Sequence, residues 1–270
     1  KIQSHRLWGA VMKLDLDGKV VVVTGASRGI GLAIVRRFAE EGARVVAGAR
    51  TISDPLAALA EVTSVEPVSV DLAQPDGPAC LIATAGARID VLVNNVGIAT
   101  PRLNGFAAVT DEMWLETFNL DVLATVRAIR AALPGMVDAG GGVIVNIGSV
   151  NARLPDPMVV DYSAAKAAFD NLGKALSKEF GKNGIRVNTI DPGPVGTDLW
   201  LGADGVASQL ATANDSTPED IVASFAASVA TGRFTTPEEV ADLALVLASD
   251  RFANITGANV VIDGGFIPTL

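Results

Sequence analysis

The sequence predicts a single α/β domain in which a parallel sheet is covered by helices, and three observations carry that expectation. Residues 19–23 form a short, continuous run rich in β-branched side chains, the pattern of a strand buried on both faces. The run leads into Thr24-Gly25-Ala26-Ser27-Arg28-Gly29-Ile30-Gly31, after which a helical pattern continues to Glu41 and stops at Gly42. The 270 residues, 49% hydrophobic and 19% charged, suffice to bury one full core.

Strand, glycine-rich turn and helix in that order give the turn its meaning. Its glycines let the backbone reverse sharply and let a pyrophosphate approach the amides at the positive end of a helix. A merely tight strand-to-helix turn is the alternative. Further strands are expected at 44–50, 65–70, 89–93, 143–147, 185–190 and 258–262. A long helix is expected over 111–136 despite Pro134, and Thr236-Pro237-Glu238-Glu239 reads as another helix start. Residues 199–234 break the alternation and mix Leu199, Trp200, Leu201, Phe225 and Phe234 with Gly, Ser and Thr. Such a stretch suits a mobile helical lid over a substrate, or plain core.

Composition excludes several functions. A net charge of −9 argues against nucleic acid or an anionic membrane surface as a partner. No apolar run approaches the ~18 residues that would span a bilayer. The single cysteine, Cys80, forms no internal disulfide, and without a secretory signal a cytoplasmic setting is the default. Residues 1–11 read as an added leader before a natural start at Met12, with residues 12–270 as the one domain. The only histidine, His5, lies in that leader, so a histidine triad or multi-histidine metal site is excluded and no metal is expected.

Chemistry concentrates in Ser149 and in Tyr162-Ser163-Ala164-Ala165-Lys166. Four residues are just over one helical turn, so Tyr162 and Lys166 project from one face. Tyrosine alone is a poor proton donor or acceptor near neutral pH, but a fixed ammonium nearby favours its phenolate form. The pair is therefore plausible acid–base machinery for a carbonyl or an alcohol; a chance pairing on an exposed helix face is the competing reading. At the end of the second strand, dinucleotide-binding folds carry an acidic residue for the adenosine ribose, or arginines for a 2′-phosphate. Here that position is Ala49, followed by Arg50, with Arg28 inside the glycine turn. NADP(H) is thus favoured over NAD(H), unless Arg28 and Arg50 are ordinary solvated charges.

These motifs together resemble the short-chain dehydrogenase/reductase family from about Leu14 to Gly265. The resemblance implies a one-domain, doubly wound Rossmann fold with a seven-stranded parallel sheet, a nicotinamide cofactor and a Ser–Tyr–Lys site assisted by an Asn. Residues 24–31 match the family's Thr-Gly-x-x-x-Gly-x-Gly motif, which assigns cofactor contacts to Gly25, Ser27, Arg28, Gly29, Ile30 and Gly31. Asp71-Leu72 resembles the pair that meets the adenine, although Asp71 also suits a helix cap. Asn94-Asn95-Val96-Gly97 resembles the family's Asn-Asn-Ala-Gly signature, which puts Asn95 and Gly97 near the adenosine ribose. Asn119, in Thr117-Phe118-Asn119-Leu120, matches the position that bends the helix and holds a relay water; alone, a mid-helix Asn more often bonds local backbone.

Ser149 precedes Tyr162 by the spacing usual in the family, which implies that its hydroxyl binds the substrate oxygen, whereas a loop serine capping a turn is the bland reading. Lys166 is implied to hold the nicotinamide ribose as well. Pro192, Gly193, Val195 and Thr197 match the Pro-Gly segment that orients the nicotinamide carboxamide, and Asp263-Gly264-Gly265 resembles the C-terminal signature. The resemblance also implies a homotetramer built on the two long helices and the last strand.

The expected activity is NADP(H)-dependent interconversion of a small-molecule carbonyl and a secondary alcohol, with reduction as the favoured direction. A 3-oxoacyl-[acyl-carrier-protein] reductase is a specific alternative, with Arg127, Arg130 and Lys182 as a local basic patch against the acidic overall charge. A catalytically silent dinucleotide-binding sensor or scaffold is a reading of another class, though it has no need of Asn119, Ser149, Tyr162 and Lys166 together. Leu154, Met158 and Trp200 suggest a partly apolar pocket, and Arg153 is read as a solvated charge.

Overall fold

The computed structural model describes residues 13–269, so the expected leader and His5 lie outside the described residues. Seven strands form one sheet: β1 (Val20–Thr24), β2 (Arg44–Ala49), β3 (Val65–Ser69), β4 (Val91–Asn94), β5 (Gly142–Ile147), β6 (Ile185–Pro192) and β7 (Asn259–Ile262). Every pairing is parallel and the order is β3-β2-β1-β4-β5-β6-β7. The order reverses between β1 and β4, which opens a crevice above their carboxyl ends, where such sheets take ligands.

Because side chains alternate along a strand, each central strand feeds two cores. Val21, Val23, Val45 and Val93 pack on one face with Ile34, Phe38 and Leu245, while Val22, Val46, Leu92 and Ile144 pack on the other with Leu81, Ala128 and Met136. This double burial explains the near-continuous apolar strands. The helices on the two faces are α1 (Gly29–Glu40), α2 (Asp54–Val62), α3 (Gly77–Ala85), α4 (Asp111–Phe118), α5 (Ala124–Asp138), α6 (Val160–Phe180) and α10 (Pro237–Ala248). Three more, α7 (Asp198–Leu201), α8 (Val206–Ala213) and α9 (Pro218–Ser228), occupy the stretch expected to form a lid.

Two details differ from expectation. β6 runs two residues further, because Asp191 and Pro192 still pair with Val261 and Ile262 of β7. The long helix from Asp111 is not uniform: Asn119–Leu123 forms a π-helical turn between α4 and α5. Such a bulge changes which side chains face the sheet and often marks a functional site. The Thr236 start is a complete capping box, in which the Thr236 hydroxyl accepts from the Glu239 amide and the Glu239 carboxylate accepts from Thr236 N–H at 2.8 Å.

Candidate active site

The glycine turn and the start of α1 form the first wall of the site. Gly25 and Gly29 take φ of +67° and +54°, conformations that disfavour any side chain. At Gly31 a Cβ would collide with the Gly25 carbonyl oxygen. Asn95 clamps the turn from β4, its Nδ2 donating to the carbonyls of Thr24 and Gly25 at 3.0 and 2.9 Å. Its side chain is thus committed to holding the turn. No side chain caps α1 and no acidic residue lies in its first turn, whereas Ser53, Thr110, Thr217 and Thr236 cap α2, α4, α9 and α10. Uncapped first-turn amides at the positive end of a helix suit a pyrophosphate.

The second wall rises from β5 and α6. Ser149 follows the end of β5, is 7% exposed and accepts from the Asn151 amide at 3.2 Å. It therefore does cap a turn, and its hydroxyl still borders the cavity described below. Tyr162 lies in the first turn of α6 and Lys166 one turn later. Lys166 is 3% exposed; its ammonium donates to the Ile147 carbonyl at 2.9 Å and sits 5.4 Å from the centroid of the Tyr162 ring. The expected face-sharing of Tyr162 and Lys166 is therefore present, with the cation fixed by the end of β5. Asp161, beside Tyr162, is buried and accepts from Arg102 Nε at 3.1 Å and from Thr117 at 2.7 Å. Burial pushes the Asp161 carboxyl up, but the bonds from Arg102 and Thr117 outweigh it and the net shift is downward. This clamp fixes the start of α6, and the sequence reading missed it.

Asn119 does not join this group. Its Nδ2 donates to the Ala73 carbonyl at 2.8 Å and its Oδ1 accepts from Arg127 at 2.9 Å, so its amide is spent bridging to the loop after β3. The inward position belongs to Asp121, because residues two apart on a helix point to opposite faces. Asp121 is fully buried; its Oδ1 accepts from the Ile98 amide at 2.7 Å, and its Oδ2 has no partner among the described residues. A Cβ placed on Gly97 would lie 3.3 Å from Asp121 Oδ1 and 3.5 Å from Lys166 Nζ, so both groups share the space behind the site. Burial raises the Asp121 carboxyl to about 6, against the opposing pull of Lys166 and the Ile98 amide. Periodicity held the signal: Asp121 falls on the buried stripe of Ala124, Thr125, Ala128 and Ala132.

The remaining expected residues fall into two groups, one at the ends of β2 and β3 and one in the segment after β6. Ala49 is buried at the end of β2, while Arg50 and Arg28 are exposed and make no ion pair among the described residues. Asp71 turns back on its own loop, accepting from the Ala73 amide and from Gln74; these bonds hold its carboxyl below the usual range. Leu72 is buried in the core beside it. Gly193 donates to the Ile262 carbonyl at 3.0 Å, which ties the segment after Pro192 to β7. Val195 pairs with Thr235, and Thr197 packs over the turn, 3.2 Å from where a Gly29 Cβ would stand. Arg153 is not merely solvated, since its guanidinium lies 3.5 Å from the buried Asp191 carboxylate.

Between the walls lies a cavity of about 330 Å³, bordered by Ile30, Ser149, Tyr162, Val195 and Thr197 on one side and by α7–α9 on the other. Trp200 packs edge-on against Phe225 and Phe234, with centroids 4.7 and 5.3 Å away. Trp200 and Phe225 belong to the cavity wall, so these aromatics act as both local core and lining. A glycine turn with an uncapped helix, facing a Ser–Tyr–Lys cluster across a switch point, defines a dinucleotide-dependent oxidoreductase site.

Comparison with known proteins agrees. The profile of the family described as enoyl-(acyl carrier protein) reductase matches residues 25–267. The chain belongs to the short-chain dehydrogenase/reductase family, oxidoreductases that interconvert carbonyls and alcohols. It is 36% identical to D-threitol dehydrogenase of Mycolicibacterium smegmatis over 93% of this chain and 94% of that protein. It is 32% identical to the 3-oxoacyl-[acyl-carrier-protein] reductase of Vibrio harveyi over 93% and 98%. The crystal structure of L-sorbose reductase from Gluconobacter frateurii, complexed with NADPH and L-sorbose, superposes with a TM-score of 0.88 at 35% identity, covering 96% of this chain and all of that one. No helix of the described residues is long and apolar enough to cross a membrane.

Proposed function

We propose that the protein is an NADP(H)-dependent reductase of small-molecule ketones in which Tyr162 is the proton donor. One observation carries the reading: Ser149 and Tyr162 border a largely apolar cavity that Ile30, at the uncapped start of α1, also flanks, with the ammonium of the buried Lys166 5.4 Å from the Tyr162 ring. The residues present fit the cofactor. The first-turn amides of α1 are available for its pyrophosphate, and Arg28 and Arg50 make no ion pair among the described residues, at a place where Ala49 stands instead of a carboxylate for a 2′-hydroxyl. Gly25, Ser27, Gly29, Ile30, Gly31, Asp71, Leu72, Asn95 and Gly97 frame the groove proposed for it, with Pro192, Gly193, Val195 and Thr197 at its nicotinamide end. The L-sorbose reductase complexed with NADPH supports the same choice by likeness.

When bound, the cofactor supplies a hydride to the carbonyl carbon. The Ser149 hydroxyl donates to the carbonyl oxygen and sets its direction. Tyr162 gives that oxygen its proton as negative charge develops there. Lys166, anchored on the Ile147 carbonyl, stabilises the phenolate left behind and is placed to hold the nicotinamide ribose hydroxyls. Asp121 replaces Asn119 as the fourth polar group and offsets the Lys166 charge.

The carrier-bound alternative receives less support. Lys182 lies in the turn Gly181–Asn183 ahead of β6, at the amino edge of the sheet and away from Ser149, and Arg127 is bound to Asn119. The proposed homotetramer draws support from the edge strand β7 and from exposed Leu115 and Leu123 on the long helix. The decisive test is NADPH oxidation with Tyr162→Phe beside the parent protein. We expect turnover to fall at least ~10²-fold with cofactor binding, read by fluorescence, retained. Turnover that survives would refute the role of Tyr162, and tight binding with no turnover of any carbonyl would favour the silent binder.

A further inference from the structure

The cavity's lining says more about the substrate than its catalytic corner does. Facing Tyr162 are Leu154, Met158, Leu199, Trp200, Leu210 and Phe225, contributed by the loop after β5 and by α7–α9. The polar residues among the lining are nearly all committed within the protein. Asn151 donates to Ser163 at 3.3 Å and accepts from Ser149 at 3.4 Å, while one carboxylate oxygen of Asp156 accepts from the Met158 amide at 2.9 Å. Thr197 packs on the glycine turn, at the cofactor end of the cavity. What remains for a substrate is the pair of hydroxyls of Ser149 and Tyr162, which both address one carbonyl oxygen, the Asn151 side-chain oxygen that Ser149 releases when it turns to the substrate, and one carboxylate oxygen at Asp156.

A ketose carries a hydroxyl on every carbon except the carbonyl one. Each hydroxyl buried here without a partner would cost affinity, roughly ten-fold apiece. A carboxylate or phosphate on the substrate would meet the Asp156 charge with no cation in the lining to offset it. Apolar surface, by contrast, is matched by most of the lining, and a cavity of about 330 Å³ whose Val195–Thr197 end belongs to the cofactor leaves room for a compact ring system. Resting on the reductase reading above, we infer that the substrate is a neutral, predominantly apolar ketone, aryl or alicyclic in shape, and not a sugar, polyol or keto acid. The chain thereby parts from the threitol and sorbose enzymes it resembles.

The test measures kcat/KM with NADPH for acetophenone and cyclohexanone against L-sorbose and D-fructose, using the full chain and Leu154→Gln. Leu154 is 37% exposed, so the replacement leaves the core intact. The expected result is a preference of about ten-fold or more for the apolar ketones, narrowed several-fold by Leu154→Gln. A ketose turned over as well as or better than either ketone overturns the inference while leaving the reductase reading standing. Should no carbonyl react, calorimetric titration of the NADPH complex decides between the two. Binding of acetophenone in preference to L-sorbose supports the apolar site and counts against the reductase; preference for the ketose, or binding of neither, overturns the inference.

Discussion

Lys166 and Asp121 set the charge at the centre of the site. In the proposed reduction the buried ammonium would stabilise the phenolate left on Tyr162, and a buried carboxylate behind it would partly cancel that field. The Asp121 carboxyl, raised to about 6 by burial, is ionised above that pH and neutral below it. Asp121→Asn removes the cancelling charge at neutral and alkaline pH and leaves the field of Lys166 unopposed beside the Tyr162 ring. We expect the alkaline limb of the reduction profile to move to lower pH in this variant, and any inflection near pH 6 to vanish; an unchanged profile of kcat/KM against pH would remove Asp121 from the mechanism. At the far end of the groove, Ala49→Asp places a carboxylate where Arg50 and Arg28 now face solvent. The ratio of NADPH to NADH turnover is expected to fall by about ten-fold or more, and a ratio that does not move would show that the two arginines do not read the 2′-phosphate.

The turn between β1 and α1 has little tolerance for added side chains. Gly31 packs so closely under Gly25 and Asn95 that a methyl group has nowhere to go. Gly31→Ala is expected to destabilise the fold by about 1–3 kcal/mol and to weaken NADPH binding at least several-fold, checked by denaturant titration and by cofactor fluorescence. The π-helical turn at Asn119–Leu123 acts on a neighbouring element. It aims Asp121 at Lys166 while leaving Asn119 to bridge outward to Ala73 and Arg127. Across the cavity, α7–α9 are short helices packed through Trp200, Phe225 and Phe234, so the substrate side rests on a few aromatic contacts and the cofactor side on the sheet.

Over the whole molecule, buried carboxyls govern the response to pH. Burial, reinforced by Asp191, raises Asp170 to about 7, and burial likewise raises Asp191 against the attraction of Arg153. With Asp121, these acids hold protons in the folded chain that the unfolded chain has already released, so stability falls as pH rises from about 4 to about 7. The net charge of −9 acts in the same direction. Glu239, held near 2 by Arg233, and Asp161, held low by Arg102 and Thr117, contribute stability that is fully present above the ordinary carboxylate range and is lost as pH falls through it. Tm is therefore expected to be higher at pH 5.5 than at pH 8, and Asp170→Asn to reduce the difference by about 2–4 °C. An equal or larger difference in the variant would show that the pair is not responsible.

The strands, the glycine turn, the helix starts and the Tyr162–Lys166 pair were all legible in the sequence, because each rests on short-range regularities. Alternation, β-branched runs, a capping box and a four-residue spacing need no knowledge of distant contacts. Other features depended on how distant segments meet. Which side chain of the 119–123 turn faces Lys166 depends on a π-helical bulge, and a mid-helix Asn misled where the buried stripe through Asp121 held the better signal. The Arg102–Thr117–Asp161 clamp, the Asp170–Asp191 pair and the bond of Asn151 to Ser163 join residues far apart in the chain or in different elements. Local pattern determined the fold and the family, whereas tertiary packing decided the charge behind the lysine and the polarity of the pocket, since burial and partnership exist only once the segments have come together.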